Sequence, residues 1–83
     1  METIIFYTKL NCHLCEEAYR MLMDLAYDLP LEIDVVDITH AHNQDIGVVY
    51  IDRIPVLARP GLKGELTWPF TPDEIRAYLT QDE

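Results

Sequence analysis

Apolar positions recur along this chain with more than one period, and each period predicts its own kind of element. From Thr3 to Thr8 the residues are almost all β-branched or aromatic, the pattern of a short buried strand. A helical spacing follows: Cys15, Ala18, Tyr19, Leu22, Leu25, Ala26 and Leu29 fall on one stripe. Asn11 is the expected N-cap of that helix and Pro30 its stop. Leu31 to Asp37 reads as a second strand, alternating through Leu31, Ile33 and Val35 before the pattern becomes continuously apolar.

The stretch from Ile38 to Asp52 is less regular. Ile46, Val49 and Tyr50 fit the face of a short helix, although Gly47 and the β-branched residues weaken it. A third strand is expected over Ile54 to Ala58, opening at Pro55. Pro60-Gly61-Leu62-Lys63-Gly64 is a turn, so a fourth strand near Glu65 to Thr67 should pair back as a hairpin. Thr71-Pro72-Asp73-Glu74 is a capping box with proline at the first helical position, and Ile75, Tyr78 and Leu79 should point inward from the last helix. The order β-α-β-α-β-β-α predicts an α/β domain. An opening strand–helix–strand unit implies a parallel pair and the hairpin adds antiparallel strands, giving a four-stranded mixed sheet flanked by helices.

Composition narrows the functions. At 83 residues the chain makes one domain, 1–83, and one this small buries only about 60–65% of its unfolded surface. With 6 basic against 15 acidic residues, the net charge of -9 argues against nucleic acid and against an anionic membrane surface. Met1-Glu2-Thr3 lacks the basic start of a signal peptide, and no apolar run approaches the roughly 20 residues of a membrane span. A monomer in the cytoplasm is the expectation. Thiols stay reduced there, so a structural disulfide does not account for the two cysteines.

Cys12-His13-Leu14-Cys15 stands where the first strand turns into the first helix. Thiolate is the nucleophile in disulfide exchange, and a helix N-terminus stabilises it through free amides and the macrodipole. Cys12 would lie at the exposed mouth and Cys15 on the buried stripe, so one sulfur can attack and the other can resolve. Two packing cysteines, or part of a metal site, are the alternatives. His40 and His42 raise a zinc site, but their H-x-H spacing departs from common structural sites, and no metal ligands are assigned. His13, if protonated, would lower the Cys12 pKa. Glu16 opposes it, since a like-charged i,i+4 pair costs about 0.2–0.5 kcal/mol against roughly 0.3–1 kcal/mol from the helix terminus.

The segment Phe6-Tyr7-Thr8-Lys9-Leu10-Asn11-Cys12-His13-Leu14-Cys15 resembles the active-site segment of glutaredoxins, and Ile54-Pro55-Val56 resembles their cis-proline segment. The element order is that of the thioredoxin fold these proteins share. The resemblance implies a thiol–disulfide oxidoreductase with Cys12 as nucleophile and Cys15 as resolving residue. It places Lys9 beside the substrate, makes Pro55 cis, and has Ile54 offer its backbone to the substrate. His13 joins the substrate side on its own chemistry, as a cation near Cys12 or a proton shuttle. It leaves glutathione as a candidate reductant or substrate, with no tightly bound cofactor, and a disulfide-bearing protein or low-molecular-weight thiol as partner. An iron–sulfur or metal-binding module, or a non-catalytic adaptor, would use the same frame. Two positions depart from the family: His13 replaces the usual proline, and Trp68-Pro69-Phe70 replaces the glycine pair that grips the γ-glutamyl end of glutathione. Trp68 and Phe70 would line a groove or cap the core. Arg53 and Arg59, flanking the third strand, would relieve the acidic surface or block strand pairing.

Overall fold

The computed structural model describes residues 2–40, 42 and 44–81. Its elements run β1 (Glu2–Thr8), α1 (His13–Asp28), β2 (Leu31–Asp37), α2 (Gln44–Tyr50), β3 (Val56–Ala58), β4 (Glu65–Thr67) and α3 (Pro72–Leu79). The strands form one mixed sheet in the order β2-β1-β3-β4. β1 and β2 pair in parallel along their whole length, and β1–β3 and β3–β4 are antiparallel. Among the described residues no helix is long and apolar enough to cross a membrane.

Adjacent residues of β1 point to opposite faces of the sheet. Ile4 and Phe6 face α1 and α3. They meet Cys15, Ala18, Leu22 and Leu25 from α1, Leu57 from β3, and Ile75, Tyr78 and Leu79 from α3 in one buried cluster. Tyr7 faces the other way and stacks on Tyr50 of α2, with ring centroids 4.3 Å apart. Val56 is paired with Tyr7 and lies on that same side.

Five details differ from the sequence pattern. The N-cap of α1 is Cys12, not Asn11. Asn11 takes a left-handed φ of 60°, which asparagine tolerates, and the chain reaches extended geometry only at Cys12. Tyr19 is half exposed, although its ring still stacks on Phe6 at 5.9 Å. Val35 is 51% exposed: β2 is an edge strand, and beyond Ile33 a cleft opens between it and α1. On α2 the inward positions are Ile46, Gly47 and Tyr50, while Val49 faces out. The helix comes so close to the chain after β2 that a Cβ at Gly47 would lie 2.6 Å from the Ile38 carbonyl oxygen. Finally, β3 begins at Val56, because the Ile54 amide is turned back to the Tyr50 carbonyl at 3.1 Å and joins no ladder.

Both arginines beside β3 have defined partners. Arg59 donates to the Tyr78 carbonyl at 3.1 Å and the Gln81 carbonyl at 2.6 Å, closing the end of α3, and reaches Glu2 at 3.3 Å. Arg53 pairs with Glu65 of β4 at 2.7 Å.

Candidate active site

The site begins with a helix cap made by sulfur. Cys12 sits at φ -108°, ψ 106°, and its Sγ accepts the Cys15 N–H at 3.2 Å, while its carbonyl accepts the Glu16 N–H at 3.1 Å. Serine, threonine, asparagine and aspartate usually fill this position because an acceptor atom there meets the unpaired amides of the first turn. Here that acceptor is the sulfur itself. Any negative charge on Cys12 would be held by the same amides.

The two cysteines are disulfide-bonded, with Cα atoms 5.2 Å apart. Their surroundings differ. Cys15 is 2% exposed and belongs to the buried cluster, whereas Cys12 is partly open to solvent. His13 starts α1 with its side chain 84% exposed, 4.0 Å from Glu16 and 3.7 Å from Glu17. Its ring is directed to carboxylates along the helix surface.

A second segment comes from the far side of the sheet. The Ile54–Pro55 bond is cis and Pro55 is fully buried. Its carbonyl accepts the Trp68 N–H at 3.3 Å, so the end of β4 is tied to it. Trp68–Pro69 is a second cis bond, and Trp68 meets Phe70 edge-to-face at 5.0 Å. Trp68 has both of the roles its position suggested: it packs against the core and lines a cleft, while Phe70 is buried.

Two clefts involve this end of the domain, and one of them reaches the cysteines. One, of about 380 Å³, is lined by Leu14, Asp52, Arg53, Ile54, Thr67 and Trp68. The other, of about 550 Å³, opens onto Cys12 and Cys15 between α1 and β2, with Lys9, Glu16, Arg20 and Asp37 among its walls. Lys9 and Ile54 therefore lie in different clefts. Leu14 and Thr67 carried no chemical signal in the sequence, and only the fold brings them beside Ile54. His40 and His42 stack on each other at 5.1 Å; among the described residues no three His, Cys, Asp or Glu side chains converge as metal ligands.

A family model, the glutaredoxin-like domain (DUF836), matches residues 3–80. This chain belongs to the glutaredoxin-like family. The solution structure of protein Ne2328 from Nitrosomonas europaea is similar over 95% of this chain and 92% of that one, at 34% identity and a TM-score of 0.74. Thioredoxin O2 from Arabidopsis thaliana, in its oxidized state, is similar over 94% of this chain and 71% of that one, at 18% identity and a TM-score of 0.67. That second likeness carries the fold alone: the mixed sheet and three helices are a thioredoxin fold. No curated protein matches the sequence. In this glutaredoxin-like domain the cysteine pair and the cis-proline segment stand at the ends of neighbouring elements, β1–α1 and α2–β3.

Proposed function

We propose that this glutaredoxin-like domain is a thiol–disulfide oxidoreductase working through a dithiol cycle. The observation that carries the reading is the asymmetry of the bonded pair: Cys12 half-open at the helix cap, Cys15 buried one turn behind it. In the reduced protein the Cys12 thiolate attacks one sulfur of a substrate disulfide. A mixed disulfide forms, and the other substrate sulfur leaves as thiolate and takes up a proton. The Cys15 thiolate then attacks Cys12 Sγ, the mixed disulfide breaks, and the second substrate thiol departs. Two electrons have passed to the substrate, and the protein holds the Cys12–Cys15 disulfide. An external thiol pair reduces it again.

Ile54 would meet the substrate through its carbonyl, since its N–H is already bonded to Tyr50. The cis Trp68-Pro69-Phe70 corner supports a substrate other than glutathione. Proline removes an amide donor, and the Trp68 ring occupies cleft space that a glycine would leave open. Losing one charge-assisted hydrogen bond to the γ-glutamyl end would weaken binding by about ten- to a hundredfold. A protein disulfide or another low-molecular-weight thiol is then the working substrate, and Lys9, in the cleft that opens onto both sulfurs, meets its acidic groups.

The test is reduction of a protein disulfide by an excess of external dithiol, with each single variant. Cys12→Ser should fall to the uncatalysed rate, and Cys15→Ser should accumulate the mixed disulfide. Cys12 should also alkylate faster than Cys15 in the reduced protein. Wild-type turnover in Cys12→Ser would overturn the mechanism. Turnover of a glutathionylated peptide equal to that of an ordinary dithiol glutaredoxin would overturn the substrate assignment.

A further inference from the structure

The α2 side of the sheet carries a polar cluster that the dithiol cycle does not use. Tyr50, the last residue of α2, has its ring, hydroxyl and carbonyl engaged. Its ring stacks on Tyr7, and its hydroxyl donates to a carboxylate oxygen of Glu65 on β4. Its carbonyl accepts two amides, from Arg53 at 2.8 Å and from Ile54 at 3.1 Å. Arg53 closes the arrangement from above. Its guanidinium lies 5.2 Å from the centre of the Tyr50 ring and donates to the other Glu65 oxygen at 2.7 Å. One carboxylate thus holds both the residue that receives the Ile54 amide and the residue just before Ile54.

This matters because of where the segment ends. The chain from Ile51 to Ile54 has left α2 and has not yet joined β3, so turn hydrogen bonds back to α2, and no ladder, hold it. On the other side of Ile54, Pro55 is anchored by burial and by Trp68. Glu65 is in register with Ala58, two rows along the hairpin from Val56, and so reaches this turn from a strand that is itself paired in the sheet. Glu65 is partly buried, with 22% of its side chain exposed, and there a charge-assisted hydrogen bond is worth more than on an open surface.

We infer that Glu65 is a positioning residue for substrate docking: through Tyr50 and Arg53 it sets the place and orientation of the Ile54 carbonyl, the group that receives a backbone amide of the disulfide-bearing segment. This rests on the proposed oxidoreductase function. Glu65 touches neither sulfur nor substrate. Its removal should therefore act on how well the disulfide is held and leave the attack by Cys12 unchanged.

Two kinds of measurement test it. In steady-state reduction of a protein disulfide, Glu65→Ala should raise KM about tenfold with kcat and the Cys12 alkylation rate nearly unchanged. Glu65→Gln keeps an acceptor for the tyrosine hydroxyl and should restore part of the loss. Tyr50→Phe keeps the ring and loses the hydroxyl, and should give a KM between wild type and Glu65→Ala. In amide hydrogen exchange, Glu65→Ala should speed the Ile54 and Arg53 amides while those of α1 keep their protection. An unchanged KM, or a fall in kcat together with slower Cys12 alkylation, would overturn the docking role. Unchanged Ile54 exchange would overturn the clamp itself. A wild-type protein that reduces no disulfide would overturn the oxidoreductase reading, and the exchange measurement would still decide whether Glu65 holds this segment.

Discussion

Phe6 and Tyr7 are neighbours on β1 and look out on two different interiors. Phe6 joins a cluster in which Ile4, Ala18, Leu22, Leu57 and Ile75 are fully buried between the sheet and two helices. Tyr7 meets a two-turn helix whose Val48 and Val49 are 82% and 55% exposed, and whose hold on the sheet is an aromatic stack, a close backbone approach and the Glu65 network. Each large apolar side chain buried on the first face contributes about 1.5–3 kcal/mol, so that face carries most of the folding energy. The second face buries fewer large side chains, Val56 among them, but holds the segment before the cis-proline. The difference teaches a division of labour: burial supports Cys15, while a few directed contacts hold the segment that leads into the cis-proline.

The largest effect should come from the α1–α3 face. Leu22→Ala removes a fully buried side chain and should cost about 2–5 kcal/mol in urea unfolding, with Tm lowered by more than about 10 °C. A loss under about 1 kcal/mol would mean that the cluster is not the main support of the fold.

Gly47→Ala probes the other face. Its new Cβ would meet the Ile38 carbonyl oxygen at 2.6 Å, and backbone cannot swing aside. The overpacking should cost about 1–3 kcal/mol, partly offset by the roughly 1 kcal/mol that alanine gains over glycine in a helix. Val48→Ala, on the exposed side of the same helix, should change stability by less than about 0.5 kcal/mol. A stabilised Gly47→Ala would show that α2 does not approach the sheet this closely.

A local feature of the first face should matter less than its core. Thr71 and Glu74 form both bonds of a capping box, at 3.2 Å and 3.0 Å, and Thr71→Ala should cost about 1 kcal/mol. Equal losses from Thr71→Ala and Leu22→Ala would erase the distinction between capping and burial.

The smallest effect appears only in alkali and draws one tyrosine from each face. Burial pushes the Tyr78 hydroxyl above its ordinary pKa, and the hydrogen bond to the Glu65 carboxylate pushes Tyr50 up further. Raised values in the folded state mean that the folded protein keeps protons the unfolded chain has lost. This contribution is intact below about pH 10 and declines as the pH rises above it. Of the five tyrosines, two should ionise late in a phenolate absorbance titration. Tyr50→Phe and Tyr78→Phe should each remove one. Five tyrosines ionising together would contradict the burial of Tyr78 and the Tyr50–Glu65 hydrogen bond.

What could be read from the sequence was what depends on near neighbours along the chain. The apolar stripe of α1, the range of β2, the Glu65–Thr67 strand and the capping box at Thr71 all repeat or close within a few residues. The C-x-x-C at a strand–helix junction was legible for the same reason, and so was the asymmetry between its two sulfurs. Cysteine as the N-cap was not, because Asn11 is the better capping residue by type. Only the left-handed turn at Asn11 passes that role to Cys12.

By itself, then, the sequence determined the element order, the buried face of α1 and α3, and the placing of a cysteine pair at a helix mouth, since local periodicity and capping chemistry act over one or two turns. Tertiary structure decided which side of α2 faces the sheet, because Gly47 fits against the Ile38 carbonyl where a larger residue would not. It also decided that Arg53 and Tyr50 share Glu65, twelve and fifteen residues further on, and that Lys9 and Ile54 fall in separate clefts. Contacts of that kind have no period in the sequence. They depend on how the sheet twists and how closely each helix comes to rest on it, and those are set by the packing of the whole domain.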